Sequence, residues 1–151
     1  MTAEKAMPEP KPRPAPGADP ETEPFWNGVN EGRLLVQRCQ SCGTHQLYPR
    51  WRCLRCRGQV EWVEAGGGGT VYSFTVIRQN FSRSFRHLIP YVVALVDLDE
   101  GPRVMSNLVG CDPVDVRIGM PVRVRFESVS DEASVPLFEP VADQSTSTAN
   151  A

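Results

Sequence analysis

Apolar and polar positions divide this chain into stretches of different periodicity. From Thr2 to Glu23, Met7 is the only large apolar residue, and proline recurs at Pro8, Pro10, Pro12, Pro14, Pro16, Pro20 and Pro24. Such a segment cannot bury enough surface to offset its ordering entropy, and alternating proline keeps it extended and semi-rigid. Residues 1–24 therefore read as a disordered proline-rich arm, a tether or a docking arm for a proline-binding groove. A helical candidate runs from Glu21 to Arg33, with Phe25, Trp26 and Val29 on one face and Gly28 and Gly32 weakening it. Between Leu34 and Val63 apolar residues are few, chiefly Leu47, Tyr48, Trp51, Leu54, Val60 and Trp62. Gly66 to Gly69 then break the pattern and read as a flexible hinge.

Beyond the glycines the period becomes two. Thr70–Arg78 is rich in β-branched and aromatic residues, and Tyr91–Leu98 is a nearly continuous apolar run expected to be buried on both faces. Arg103–Val109 follows a turn at Asp99–Gly101. In Pro121–Val129, Val122, Val124 and Phe126 alternate with Arg123, Arg125 and Glu127. Val135–Val141 carries Pro136 and Pro140 and is expected at a sheet edge. A short helical turn is expected at Pro113–Val116. Five strands with a longer link between the third and fourth suit an OB-type barrel, with an SH3-like barrel or a small sandwich as alternatives. The polar stretch 142–151 reads as a disordered tail. The partition is an arm at 1–24, a helical segment and ribbon at 25–65, a hinge at 66–69, a barrel at 70–141 and the tail.

Composition changes this picture little. Of 151 residues, 14 are proline and 12 glycine, and the net charge is −2. The longest apolar run, Tyr91–Val96, is too short for a bilayer, and the first residues have no signal-peptide pattern, so a cytoplasmic protein is expected. Both lysines, Lys5 and Lys11, lie in the arm, so every basic charge of the folded part is arginine. That reflects composition bias or suits planar anion contacts.

Cysteine placement carries the chemistry. Cys39, Cys42, Cys53 and Cys56 form C-x2-C-x10-C-x2-C. Each pair can hold one metal from a tight knuckle, and four thiolates fill a tetrahedral shell. Gly43 follows Cys42 directly and Gly58 lies two residues after Cys56, where glycine permits the positive φ that turns amides toward sulfur. A chain without a leader favours metal over disulfides, and the ligand set favours zinc over iron. With four protein ligands no position is left for a water nucleophile, so the zinc is expected to be structural. Arg38, Arg50, Arg52, Arg55 and Arg57 surround the site and offset thiolate charge, and Arg50 and Arg52 could also face an anion. Cys111, the fifth cysteine, reads as a small buried residue rather than a nucleophile.

The segments FWNGVNEGRLLVQRC from Phe25, CQSCG, YPR, CLRC, GTVYSFTV from Gly69, PYVVALVDLDEGPR from Pro90 and NLVGCDPVDVRIGMPVRVRFE from Asn107 resemble the acyl-CoA-associated zinc-ribbon/OB-fold family. The likeness covers about Phe25 to Val141. It implies a mainly β fold with an N-terminal helical segment, a rubredoxin-like zinc ribbon and a five-stranded OB-fold barrel. It also implies a non-catalytic accessory subunit that helps form or gate the acyl-CoA site of a partner. That partner would be a thiolase-like protein of the sterol-carrier type or an acyl-CoA hydratase. The chemistry implied is thiolysis, condensation or retro-aldol cleavage, in steroid side-chain or aromatic-acid degradation. The arm lies outside the match and resembles the linker of fused hydratase chains.

Between the first two strands of the barrel, Arg78, Phe81, Arg83, Phe85 and Arg86 lie in a region with no acidic residue from Arg78 through Val96. Together with the resemblance, they are candidates to hold coenzyme A phosphates and a flat ring, or to face a protein partner. His45 and His87 are the two histidines, and neither is joined by a nucleophile or a paired carboxylate in the sequence pattern. A single-stranded nucleic-acid module is the alternative, since OB folds use basic grooves and aromatic stacking. Thirteen arginines against twelve acidic residues across 25–141 speak against it.

Overall fold

The computed structural model describes residues 9–142; residues 1–8 of the arm and 143–151 of the tail lie outside the described residues. A short helix α1 spans Glu23–Asn30, with Pro24 in its first turn. It is shorter than the periodicity suggests because Gly32, at φ 73°, ends it. Gly28 serves packing: a Cβ there would stand 2.7 Å from Leu35 Cγ and 3.1 Å from the Arg33 carbonyl. The missing side chain lets the helix lie directly on the strand that follows.

That strand, β1 (Leu35–Cys39), is the middle of a three-stranded antiparallel sheet with β2 (His45–Gln46) and β3 (Val60–Glu64). Five strands then close a barrel: β4 (Gly68–Ile77), β5 (Tyr91–Leu98), β6 (Arg103–Leu108), β7 (Pro121–Ser128) and β8 (Ser134–Pro140). Their order around the barrel is β4-β5-β6-β8-β7. Short 3-10 turns lie at Arg86–Leu88 and Pro113–Asp115. The fold is mainly β, a ribbon followed by an OB-type barrel. Among the described residues no helix is long and apolar enough to cross a membrane.

Three local expectations change. Along β5, buried residues alternate with half-buried ones, because only one face of a barrel wall meets the core. β8 is not an edge: it pairs antiparallel with β7 and meets β6 in parallel at Leu108 and Phe138. The prolines are compatible because this seam is short. Val109 N donates to Phe138 O (2.8 Å) and the Ser106 hydroxyl to Pro136 O (2.7 Å), so the seam draws no amide from Pro136 or Pro140.

The glycine run is not a free hinge either. Gly68 pairs with Arg123, and Gly69 pairs with both Val122 and Leu98. Gly66 N donates to Glu100 Oε1 (2.6 Å). A Cβ on Gly69 would fall 2.5 Å from the Asp97 carbonyl. Glycine stands there because three strands converge.

Val71, Val92, Ala94, Val96, Leu108, Val122 and Phe138 fill the barrel, and Leu34, Val36 and Ala65 of the ribbon belong to the same buried cluster. Ribbon and barrel therefore share one core.

Candidate metal centre and ligand loop

The two knuckles repeat one hydrogen-bond pattern. Cys39 N donates to Thr44 O and Gly43 N to Cys39 O; correspondingly, Cys53 N donates to Gly58 O and Arg57 N to Cys53 O, all at 2.9–3.0 Å. The left-handed position after each second cysteine is taken by Gly43 (φ 71°) and by Arg57 (φ 66°). Gly58, expected in that role, does something else. A Cβ there would meet Ser41 Oγ at 2.7 Å and Cys39 Sγ at 3.1 Å, so its absence lets the knuckles close on each other.

The four Sγ atoms lie within 4.8 Å of one another, with Cys39–Cys56 at 3.4 Å and Cys42–Cys53 at 3.7 Å. A tetrahedral zinc with bonds of about 2.3 Å needs sulfurs about 3.8 Å apart, so the donors fit. Backbone amides of Cys42 and Arg55 point at Cys39 and Cys53 sulfur, at 3.5 and 3.3 Å. The Cys42 thiol is drawn down to about 6, chiefly by the Thr44 hydroxyl and amide. Cys56 is pushed up to about 12: the Gly58 amide favours its thiolate, but the Cys39 and Cys42 sulfurs beside it oppose another charge. Gathering four thiolates here needs a cation to offset them.

Two glutamines that sequence reasoning did not single out hold the second knuckle in place. Gln46 Nε2 donates to Gln37 Oε1 (2.9 Å) and to Arg52 O (3.3 Å). Gln37 Oε1 also accepts from Arg50 N (2.9 Å), and Gln46 Oε1 from Leu54 N (3.0 Å). Both are buried. The sequence pattern predicted no strands in the ribbon, so it offered no inward positions by which to find them. His45 lies on β2 opposite Arg38 and is not one of the clustered ligands.

The candidate loop residues do not share one environment. Arg78 is exposed just past β4, and Phe81 is 84% exposed. Phe85 is half-buried beside Tyr91, with ring centroids 6.3 Å apart. Arg86 opens the 3-10 turn. Arg83 meets the arm, its Nε and Nη2 donating to Glu9 O at 3.2 and 2.8 Å. Thus the arm, expected as an unpacked tether, touches the barrel within its described part because arginines on both sides find partners. Cys111 is half-buried against the core, and burial, with Asp115 and Asp112, pushes its thiol up, away from a nucleophile's needs.

A second surface emerged only from the fold. Phe25 and Trp26 of α1, Leu47 and Tyr48 after β2, and Val104 and Met105 of β6 line an apolar groove where ribbon meets barrel. Tyr48 and Met105 are each 61% exposed.

Residues 26–62 match the model described as "ChsH2, rubredoxin-like zinc ribbon domain", and residues 62–127 match "ChsH2, C-terminal OB-fold domain". A "DUF35 domain-containing scaffold protein" of Methanocaldococcus jannaschii is 34% identical over 71% of this chain and 77% of its own. The chain belongs to the DUF35 family. A "Probable enoyl-CoA hydratase alpha subunit" of Thermomonospora curvata is 40% identical over 91% of this chain, which spans only 42% of that relative's length. A solved chain of the "Ltp2-ChsH2(DUF35) aldolase" superposes with a TM-score of 0.76 at 36% identity, covering 83% of this chain and 98% of that one. In this DUF35 chain the four-cysteine centre is a structural zinc site, held by Cys39, Cys42, Cys53 and Cys56.

Proposed function

We propose that this DUF35 chain is a non-catalytic accessory subunit that joins a thiolase-like enzyme and helps form or gate its acyl-CoA site. The observation that carries the reading is the likeness to nearly the whole DUF35 chain of an aldolase assembly. The chemistry of the residues agrees. All four zinc ligands come from the protein, which leaves the metal no catalytic position. The Cys111 thiol is disfavoured as thiolate. The groove of Trp26, Tyr48 and Met105 suits an apolar protein contact. Within the assembly, Arg78, Phe81, Arg83, Phe85 and Arg86 would meet coenzyme A phosphates and adenine, or the partner's surface. Thiolysis, condensation or retro-aldol cleavage of a steroid side-chain or aromatic acyl-CoA thioester is the reaction class, and an acyl-CoA hydratase is the alternative partner.

Mixing the purified chain with a thiolase-like protein from the same cell tests this. Co-elution, and acyl-CoA cleavage by the mixture but by neither protein alone, is expected. Turnover by the chain alone, or a mixture that neither associates nor reacts, would overturn it.

A further inference from the structure

Arg13 is set deeper than the arginines of the other described ion pairs. Its side chain is 16% exposed, whereas those of Arg33, Arg50, Arg103, Arg123 and Arg125 range from 43% to 67%. It donates through Nη1 to Asn107 Oδ1 (2.8 Å), and its Nε lies 3.7 Å from Glu127 Oε1. Its guanidinium also stands over the Phe85 ring, 5.6 Å from the centroid. Asn107 is itself tied to the barrel, its Nδ2 donating to Val92 O at 2.9 Å. Arg13 thus bridges β6, β7 and the β4–β5 loop from a segment that composition alone calls unpacked. A guanidinium is suited to this, being planar, weakly hydrated and able to stack while it hydrogen-bonds.

Just before it the arm grips the loop a second time. Lys11 N donates to Arg83 O (3.2 Å), and Arg83 returns two hydrogen bonds to Glu9 O. Pro10, Pro12 and Pro14 alternate with these residues and keep the segment extended, which lowers the entropy lost on docking.

We propose that residues 9–13 are a built-in strap that holds the β4–β5 loop, pinned by Arg13, and that the strap occupies the Arg83 donor fork that a phosphate-type anion would otherwise take. The occupant of the fork is a neutral carbonyl, and a guanidinium binds an anionic oxygen more strongly. Anion and strap therefore compete, and an anion that takes Arg83 releases Glu9. The strap rests on contacts within one chain, so it stands or falls separately from the accessory-subunit reading.

Amide hydrogen exchange of the full chain tests the pin. Arg13→Ala should speed exchange across residues 80–88 by about fivefold or more while the ribbon and β5 stay protected. Unchanged loop exchange would overturn the strap. Should Arg13→Ala loosen the whole barrel, Arg13→Lys, which keeps the charge and loses the fork, should still give a smaller increase confined to the loop; a global change with both would also overturn it. Pyrophosphate titration tests the competition. Arg13→Ala should bind about threefold tighter than the wild type or more, and Arg83→Ala should lose binding. Equal affinity, or no binding by either the wild type or Arg13→Ala, would overturn the competition.

Discussion

Arg57 takes the left-handed position that Gly43 takes in the first knuckle, while Gly58 provides a close approach that Gly43 does not. Arg57 holds a left-handed backbone that costs an L residue about 1–2 kcal/mol, while a glycine there would lose about 0.5–1 kcal/mol in chain entropy. Arg57→Gly is therefore expected to hold the melting temperature or raise it modestly, not to lower it. Gly58→Ala forces a methyl toward Ser41 and a zinc ligand, and overpacking of this kind costs about 1–3 kcal/mol. Thermal unfolding and zinc competition with a chelator should separate the two; a Gly58→Ala protein that held zinc as tightly as the wild type would remove the close-approach argument. At the hairpin end, Arg103 donates to both oxygens of Asp97 (2.6 and 3.1 Å) and stands 3.2 Å over the Tyr72 ring. The Arg103 hydrogen bond, with the Arg103 charge behind it, holds the Asp97 carboxyl below its ordinary value against the opposing effect of burial. A depressed folded value gives stability that is present above the unfolded value of about 3.9 and is lost as pH falls through the folded one. Asp97→Asn should thus melt lower than the wild type near neutral pH, with the gap closing as the pH falls below the unfolded value of about 3.9. Because both side chains are well exposed, the effect will be small, and a gap that persisted unchanged in acid would assign it to packing.

The barrel strands show how far an element can be understood from its own residues. Alternation in β7 and the branched run of β4 come from a wall with one wet and one dry face. The start of β4 follows a different rule. At Gly69 a Cβ would collide with the Asp97 carbonyl and with Val96 Cγ1, at 2.5 and 2.9 Å, and β5 is paired on both sides and cannot retreat. Gly69→Ala is expected to lower the urea midpoint by the equivalent of about 2 kcal/mol or more. Gly66→Ala, whose Cβ would stand 3.5 Å from Glu100 Oε1, should cost less than about 0.5 kcal/mol. Equal losses at both positions would mean that the run acts through flexibility rather than close approach.

Across the whole molecule, the zinc centre and the barrel are coupled through β1. Cys39 ends the strand as a ligand, and Val36 within it is fully buried in the common core, next to Leu34. Sites of this kind bind zinc with an apparent free energy on the order of 10 kcal/mol, much of it folding energy. Stripping the metal should therefore destabilise the barrel as well as the ribbon. Trp26, Trp51 and Trp62 report on the helix and ribbon, and far-UV circular dichroism on the strands. After chelation both signals should be lost together at a lowered temperature. Two separate transitions would show that the ribbon melts alone.

What the sequence determined is what short-range rules control. Cysteine spacing sets a four-thiolate centre, because the ligands of each pair are brought together by one turn of backbone. Strand ends follow the period-two runs closely, because inward and outward positions alternate along any barrel wall. The tertiary structure decided whatever depends on residues far apart in the chain. It joined β8 to β6, packed Gly58 and Gly69 against backbone and sulfur, made a buried pair of Gln37 and Gln46, and opened the groove between α1, β2 and β6. It also set Arg13 against Asn107, 94 positions away. Periodicity reports the face a residue shows, not the partner that face will meet, and only the closed barrel supplies those partners.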